Sequence, residues 1–74
     1  MTRWEYCTVY SNQAVFYTSQ GGNIIALHQQ GMTPDKLWQH RAQFIAQLGL
    51  EGWEAFGVGD EPRVSAMHFK RPIS

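Results

Sequence analysis

Hydrophobic positions recur along this chain with two different periods, and the order of the periods predicts its elements. From Trp4 to Tyr10, aromatic and β-branched residues alternate with others, which is the pattern of a strand. Trp4, Tyr6, Thr8 and Tyr10 fall on one face of it, and Glu5, Cys7 and Val9 on the other. Ser11-Asn12-Gln13 is a turn signal, and Ala14 to Ser19 reads as a second strand. Gly21-Gly22 then predicts a hairpin loop, because the tight turns that match strand twist need positive φ. That loop would set Thr18 against Ile25 and Phe16 against Leu27 on one side. Tyr17 would face Ala26 and Val15 would face His28 on the other. A flexible loop is the competing reading of the same segment, since Gln29-Gln30-Gly31 follows closely.

The period then changes to that of a helix. Thr33 is a capping residue, Pro34 suits the first helical position, and Asp35 suits the positive end of the helix dipole. Leu37, Phe44, Ile45 and Leu48 form one apolar stripe flanked by Trp38, with Gln39, Gln43, Ala46 and Gln47 opposite. Gly49 is placed to end the helix in a left-handed conformation, and Gly52 to allow the sharp turn into a strand. Trp53 to Val58 alternates again, with Phe56 and Val58 on one face and Trp53, Ala55 and Gly57 on the other. Gly59-Asp60-Glu61-Pro62-Arg63 reads as a turn and Val64 to Lys70 as the last strand. Met67 and Phe69 share one face of it; Val64, Ala66 and His68 share the other. Pro72, lacking an amide hydrogen, is expected to end the pairing.

These elements assemble into an α+β fold, a single domain over residues 1–74. It is an antiparallel sheet of four to five strands in the order β-β-β-α-β-β, with one helix packed on one face. Cys7, Val9, Phe56, Val58, Met67 and Phe69 are expected to face the helix. The other face would carry Trp4, Tyr6, Tyr10, Trp53, Val64 and Ala66, too much apolar surface to leave in water. A second copy of the chain is the simplest cover, so a two-fold dimer is expected, with Trp4, Tyr6, Tyr10, Val64 and Ala66 as its interface.

Length and charge narrow the function classes. A chain of 74 residues has a thin core, and self-association is a common remedy. The single cysteine forbids an intrachain disulfide and fits a reducing compartment. The start has no signal-peptide pattern, and no apolar run approaches the roughly 20 residues that span a bilayer, so a cytoplasmic protein without a membrane partner is expected. Six basic residues balance six acidic ones, which argues against nucleic acid despite the small basic edge of Lys70, Arg71 and Arg3. His28, His40, His68 and Cys7 show no metal-site spacing, so neither a metal nor a cofactor is expected. Cys7 alternates within a strand, with no turn or helix start to activate it, and reads as an inert packed thiol. Glu51, Glu54, Asp60 and Glu61 offer no spacing that singles out an acid–base pair, and Gly57-Val58-Gly59 precedes no helix that could hold a phosphate. No catalytic residue is assigned and no enzyme is expected.

Arg41 is the odd member of the apolar stripe. Its head either snorkels to solvent or pairs with a strand carboxylate such as Glu5 or Glu54. A ligand site at the helix end would use Trp53 as a flat wall, with Glu54 and Arg41 as polar handles.

Three motifs together carry a family resemblance. Trp4-Glu5-Tyr6 opens the chain, Leu48-Gly49 precedes Glu51-Gly52-Trp53-Glu54, and Phe69-Lys70-Arg71-Pro72 closes it. In this order they resemble the small bacterial family known as domain of unknown function 4177. The segment from Ser11 to Met32 is longer than the family pattern, and Ala46 stands where members often have Asn. The resemblance implies a fold and no activity. The function expected is therefore a non-enzymatic, self-associating protein-interaction module that is open to a further protein partner. The alternative is a small-molecule or anion-binding module, with its site near the helix end and the strand starting at Trp53.

Overall fold

A computed structural model describes residues 3–58 and 66–73 of the chain. Five strands form one antiparallel sheet: β1 (Arg3–Val9), β2 (Gln13–Thr18), β3 (Gly21–Ala26), β4 (Glu54–Val58) and β5 (Met67–Ile73). The helix α1 (Pro34–Leu50) connects β3 to β4. The strand order is β3-β2-β1-β5-β4, so the two ends of the chain meet in the middle of the sheet. The expected α+β architecture is therefore present, with five strands.

Register decides which side chains share a face. Cys7 pairs with Phe16 and Phe69, and Val9 with Ala14 and Met67. These residues, with Leu27, Leu48 and Trp53, make the core, against which Leu37, Phe44 and Ile45 of α1 pack. The helix therefore lies on the Cys7–Val9 side. Tyr6 pairs with Tyr17 and Lys70, and Thr8 with Val15 and His68, on the side without a helix.

The helix boundaries follow local chemistry. The Thr33 hydroxyl accepts a hydrogen bond from the Lys36 amide at 3.3 Å, and Pro34 occupies the first turn. At the other end Gly49 remains helical, and it is Gly52, at φ +91°, that takes the left-handed conformation. The Trp53 amide donates to Leu48 O at 2.9 Å and the Gly52 amide to Gly49 O at 3.1 Å. This doubly bonded exit satisfies two free carbonyls and aims Trp53 back at the core.

Three further expectations need correcting. The hairpin turns at Ser19-Gln20 rather than at Gly21-Gly22, so Thr18 pairs with Gly21, Phe16 with Asn23 and Val15 with Ile24. The Thr18 hydroxyl drives this shift: it accepts from the Gln20 amide at 3.3 Å and donates to Gly21 O at 3.0 Å. Gly22 is then a strand residue under Val15, whose Cγ1 would lie 3.1 Å from any Cβ placed there. The displacement is an even number of residues, so each side chain keeps the face expected of it. Second, Pro72 does not end β5 but pairs with Trp4. Since β4 begins at Glu54 opposite Lys70, β5 has a neighbour on one side only at Pro72, where a missing amide is tolerated.

Third, the first residues of β4 alternate in the opposite phase to the one expected. Glu54 lies opposite Lys70 on the helix-free side and Phe56, two residues on, shares that side, where its ring meets Tyr6 at 6.2 Å; the bulge between Ala55 and Gly57 then sets Gly57 opposite His68 and Val58 opposite Met67. Trp53 goes to the core instead of the open face. The side chain of Val58, the expected turn from Gly59 to Arg63, and Val64 lie outside the described residues.

The helix exit yields a paired prediction. Gly52→Ala should cost about 1–2 kcal/mol, the strain of a left-handed alanine. Gly49→Ala, helical and with nothing within 4 Å of an added Cβ, should stabilise by about 0.5–1 kcal/mol. Urea unfolding checks both, through midpoint shifts of opposite sign at constant slope.

Candidate functional site

The residues expected to hold a ligand are not brought together. Arg41 is only 6% exposed, so its head is largely withdrawn from solvent. Its Nε donates to the Tyr10 carbonyl at 3.0 Å, and its guanidinium lies 5.3 Å from the Trp38 ring centroid. Neither Glu5 nor Glu54 pairs with it. Burial draws its pKa below the usual value, and its Nη2 is buried with no hydrogen-bond partner among the described residues. Glu54 is exposed and stands opposite Lys70 on the helix-free side. Trp53 is buried and shares the core with Leu48, which lies seven residues, about two helical turns or roughly 10 Å, along α1 from Arg41.

What surrounds Trp53 is a different arginine. The Arg71 guanidinium stacks 4.6 Å from its ring centroid, and Phe16 meets the ring edge-on at 5.6 Å. Arg71 Nε pairs with the Glu5 carboxylate, and Nη1 donates to the Glu51 carbonyl at 3.0 Å. One side chain from β5 thus ties together β1, the end of α1 and the entry to β4. The antiparallel match of β1 with β5 sets Glu5 opposite Arg71. That match follows from aligning Cys7 with Phe69 and Val9 with Met67, the signal from which the pair could have been found.

Beside this clasp is a cleft of about 380 Å³. Phe44, Gln47 and Leu48 of α1 line one part of it, and Phe16 of β2 and Ile25 of β3 another. It exists because α1 covers the middle of the sheet: Cys7, Val9 and Phe69 are buried, whereas every residue of β3 is exposed.

The helix-free face is aromatic. Trp4, Tyr6, Tyr17, Ile24 and Phe56 are between 38% and 62% exposed there. Lys70 Nζ lies 4.5 Å from the Trp4 ring centroid and 5.8 Å from that of Phe56. At the centre, Thr8 is buried; its hydroxyl receives the Tyr17 hydroxyl at 3.2 Å and lies 3.0 Å from His68 Nδ1. Of the residues expected at an interface, Trp4 and Tyr6 stand in this patch. Tyr10 is half-buried with its carbonyl occupied by Arg41, and Ala66 is buried at 7% exposure and offers little surface. Tyr17, Ile24 and Phe56 were not foreseen there. Pairing of β1 with β2 reveals the first, pairing of β2 with β3 the second, and pairing of Glu54 with Lys70, two residues before Phe56, the third.

Among the described residues no group of three or more His, Cys, Asp or Glu side chains is placed to hold a metal ion. No described helix is long and apolar enough to cross a membrane. No protein-family model, curated protein or solved structure matches the chain.

Cys7 is buried, and burial pushes its thiol up to about 11. The native thiol should therefore resist alkylation at pH 8 and react only when the chain unfolds. The folded state holds this proton more tightly than the unfolded one. Its contribution to stability is complete below the ordinary thiol pKa and should be lost as pH rises from about 9 towards 11. Iodoacetamide labelling rates with and without urea, and unfolding curves across that pH window, check the two statements.

Proposed function

We propose that this chain is a non-enzymatic interaction module that pairs with a second copy of itself through the helix-free face. The observation that carries this reading is the run of exposed aromatic and aliphatic side chains on that face: Trp4, Tyr6, Tyr17, Ile24 and Phe56. Five strands at about 4.8 Å spacing and about 20 Å of strand length give a face of several hundred Å², the scale at which apolar patches mark interaction sites. Its charges favour a copy of itself over a strongly charged partner. The described part of the face carries one cation, Lys70, and one anion, Glu54, opposite each other in the register. A two-fold axis can set each Lys70 near the other copy's Glu54, so the face meets itself without net repulsion.

The small core supports the same reading, since a chain of this length gains much from burying a second surface. The sequence motifs Trp4-Glu5-Tyr6, Gly52-Trp53-Glu54 and Phe69-Lys70-Arg71-Pro72 are the ground for proposing kinship with domain of unknown function 4177.

Light scattering after size-exclusion chromatography tests the assembly. At high micromolar concentration the wild type should run at twice the mass of one chain. Phe56→Glu, which puts a charge at an exposed site in the patch, should run as a folded monomer with an unchanged helical circular dichroism signal. A wild type that stays monomeric at that concentration would falsify the proposal.

A further inference from the structure

The cleft beside Arg71 opens on the helix side of the sheet; Tyr6 and Tyr17 of the pairing face border it, and the rest of its lining lies outside the pairing proposed above. Its volume of about 380 Å³ falls within the range of small-molecule sites, above the roughly 150 Å³ that accommodates benzene. Its apolar lining is aromatic and aliphatic: Phe16 and Phe44 are in edge contact at 6.3 Å, and Ile25 is 40% exposed beside them. Trp53 is already covered, by the Arg71 guanidinium and by the edge of Phe16. A guest ring would therefore lie against Phe16, Phe44 and Ile25.

Charge selects among flat guests. Three ionic groups line the cleft: Glu5, Glu51 and Arg71. Arg71 is committed, through Nε to the Glu5 carboxylate and through Nη1 to the Glu51 carbonyl, with its plane on Trp53. The Glu51 side chain is exposed and makes no hydrogen bond or ion pair among the described residues. Two carboxylates against one guanidinium leave the lining with one negative charge. An anion entering here would have to displace Glu5 from Arg71, whereas a cation meets an unpaired carboxylate. Gln47 adds an amide that can both donate and accept.

From this geometry we infer that the cleft binds planar aromatic amines, the ring held between α1 and the β2–β3 hairpin and the ammonium near Glu51. The sequence leaves a small molecule and an anion both open at this end of the helix; the lining favours a cation, because the arginine of the site is Arg71, already neutralised, and not Arg41.

The test uses three probes that share one ring: tryptamine, indole and indole-3-acetate. Each is titrated into the full ¹⁵N-labelled chain and followed by amide and indole N–H shifts. Tryptamine should bind tightest, indole next and indole-3-acetate weakest, with each step worth roughly two- to fivefold, the range for a solvent-exposed charge contact. Shifts should centre on Phe16, Phe44, Gln47 and the Trp53 indole. Two variants at exposed positions keep the fold and separate the causes. Gln47→Trp should fill the cleft and abolish binding of all three probes. Glu51→Gln should remove the advantage of tryptamine over indole and leave indole binding unchanged. No shift in the cleft up to the solubility limit would overturn the inference. So would indole-3-acetate binding as well as tryptamine, or shifts centred on Trp4 and Phe56. The last of these would implicate the opposite face of the sheet and leave the pairing proposal to be judged by mass alone.

Discussion

A single helix has one face to offer, and a sheet has two faces to cover; most of this molecule follows from that mismatch. The 17 residues of α1 lie over the centre of the sheet, where Cys7, Val9 and Phe69 are fully buried. They do not reach β3, which is exposed along its whole length and leaves the cleft beside Phe16 and Phe44. They do not touch the opposite face, where the apolar surface is largest. Apolar side chains left in water forgo roughly 25 cal/mol for each Å² that burial would remove. A chain that leaves Trp4, Tyr6, Tyr17, Ile24 and Phe56 so exposed lacks a partner for them within its described residues.

Two arginines fix how the helix sits, and they do so differently. Arg71 is about one-third exposed, so its ion pair with Glu5 contributes about 0–1 kcal/mol. Its weight is geometric: the stack on Trp53 and the bond to the Glu51 carbonyl hold the end of α1 against β1 and β5. Arg41 is buried, bonds one strand-end carbonyl and stacks near Trp38. A buried guanidinium carries a desolvation penalty that a single neutral hydrogen bond does not offset, so it is better understood as setting the position of α1 over Tyr10 than as stabilising it.

Much of the fold was legible because periodicity survives errors of register. The alternation in Trp4 to Tyr10 and the capped start at Thr33-Pro34 each place one element without reference to any other. The hairpin register was not legible, because the Thr18 hydroxyl selects a turn at Ser19-Gln20 over the more conspicuous glycine pair. The position of Phe56 was not legible either, since alternation within β4 leaves open which of its faces meets the helix, and the non-local pairing of Glu54 with Lys70 decides it. The ligand residues illustrate the same limit. Trp53 and the helix end were identified from the sequence, but the basic group beside them was assigned to Arg41 from helical spacing alone. Strand pairing, a non-local fact, brings Arg71 there instead.

The central claim is that the helix-free face is covered by a second copy. An isotope-filtered nuclear Overhauser experiment, on a mixture of labelled and unlabelled chains, tests it most directly. The account predicts intermolecular contacts among the rings of Tyr6, Tyr17 and Phe56 and the side chain of Ile24, and none to Trp38 or Leu50 on α1. Contacts that map to α1, or none at all at millimolar concentration, would contradict it.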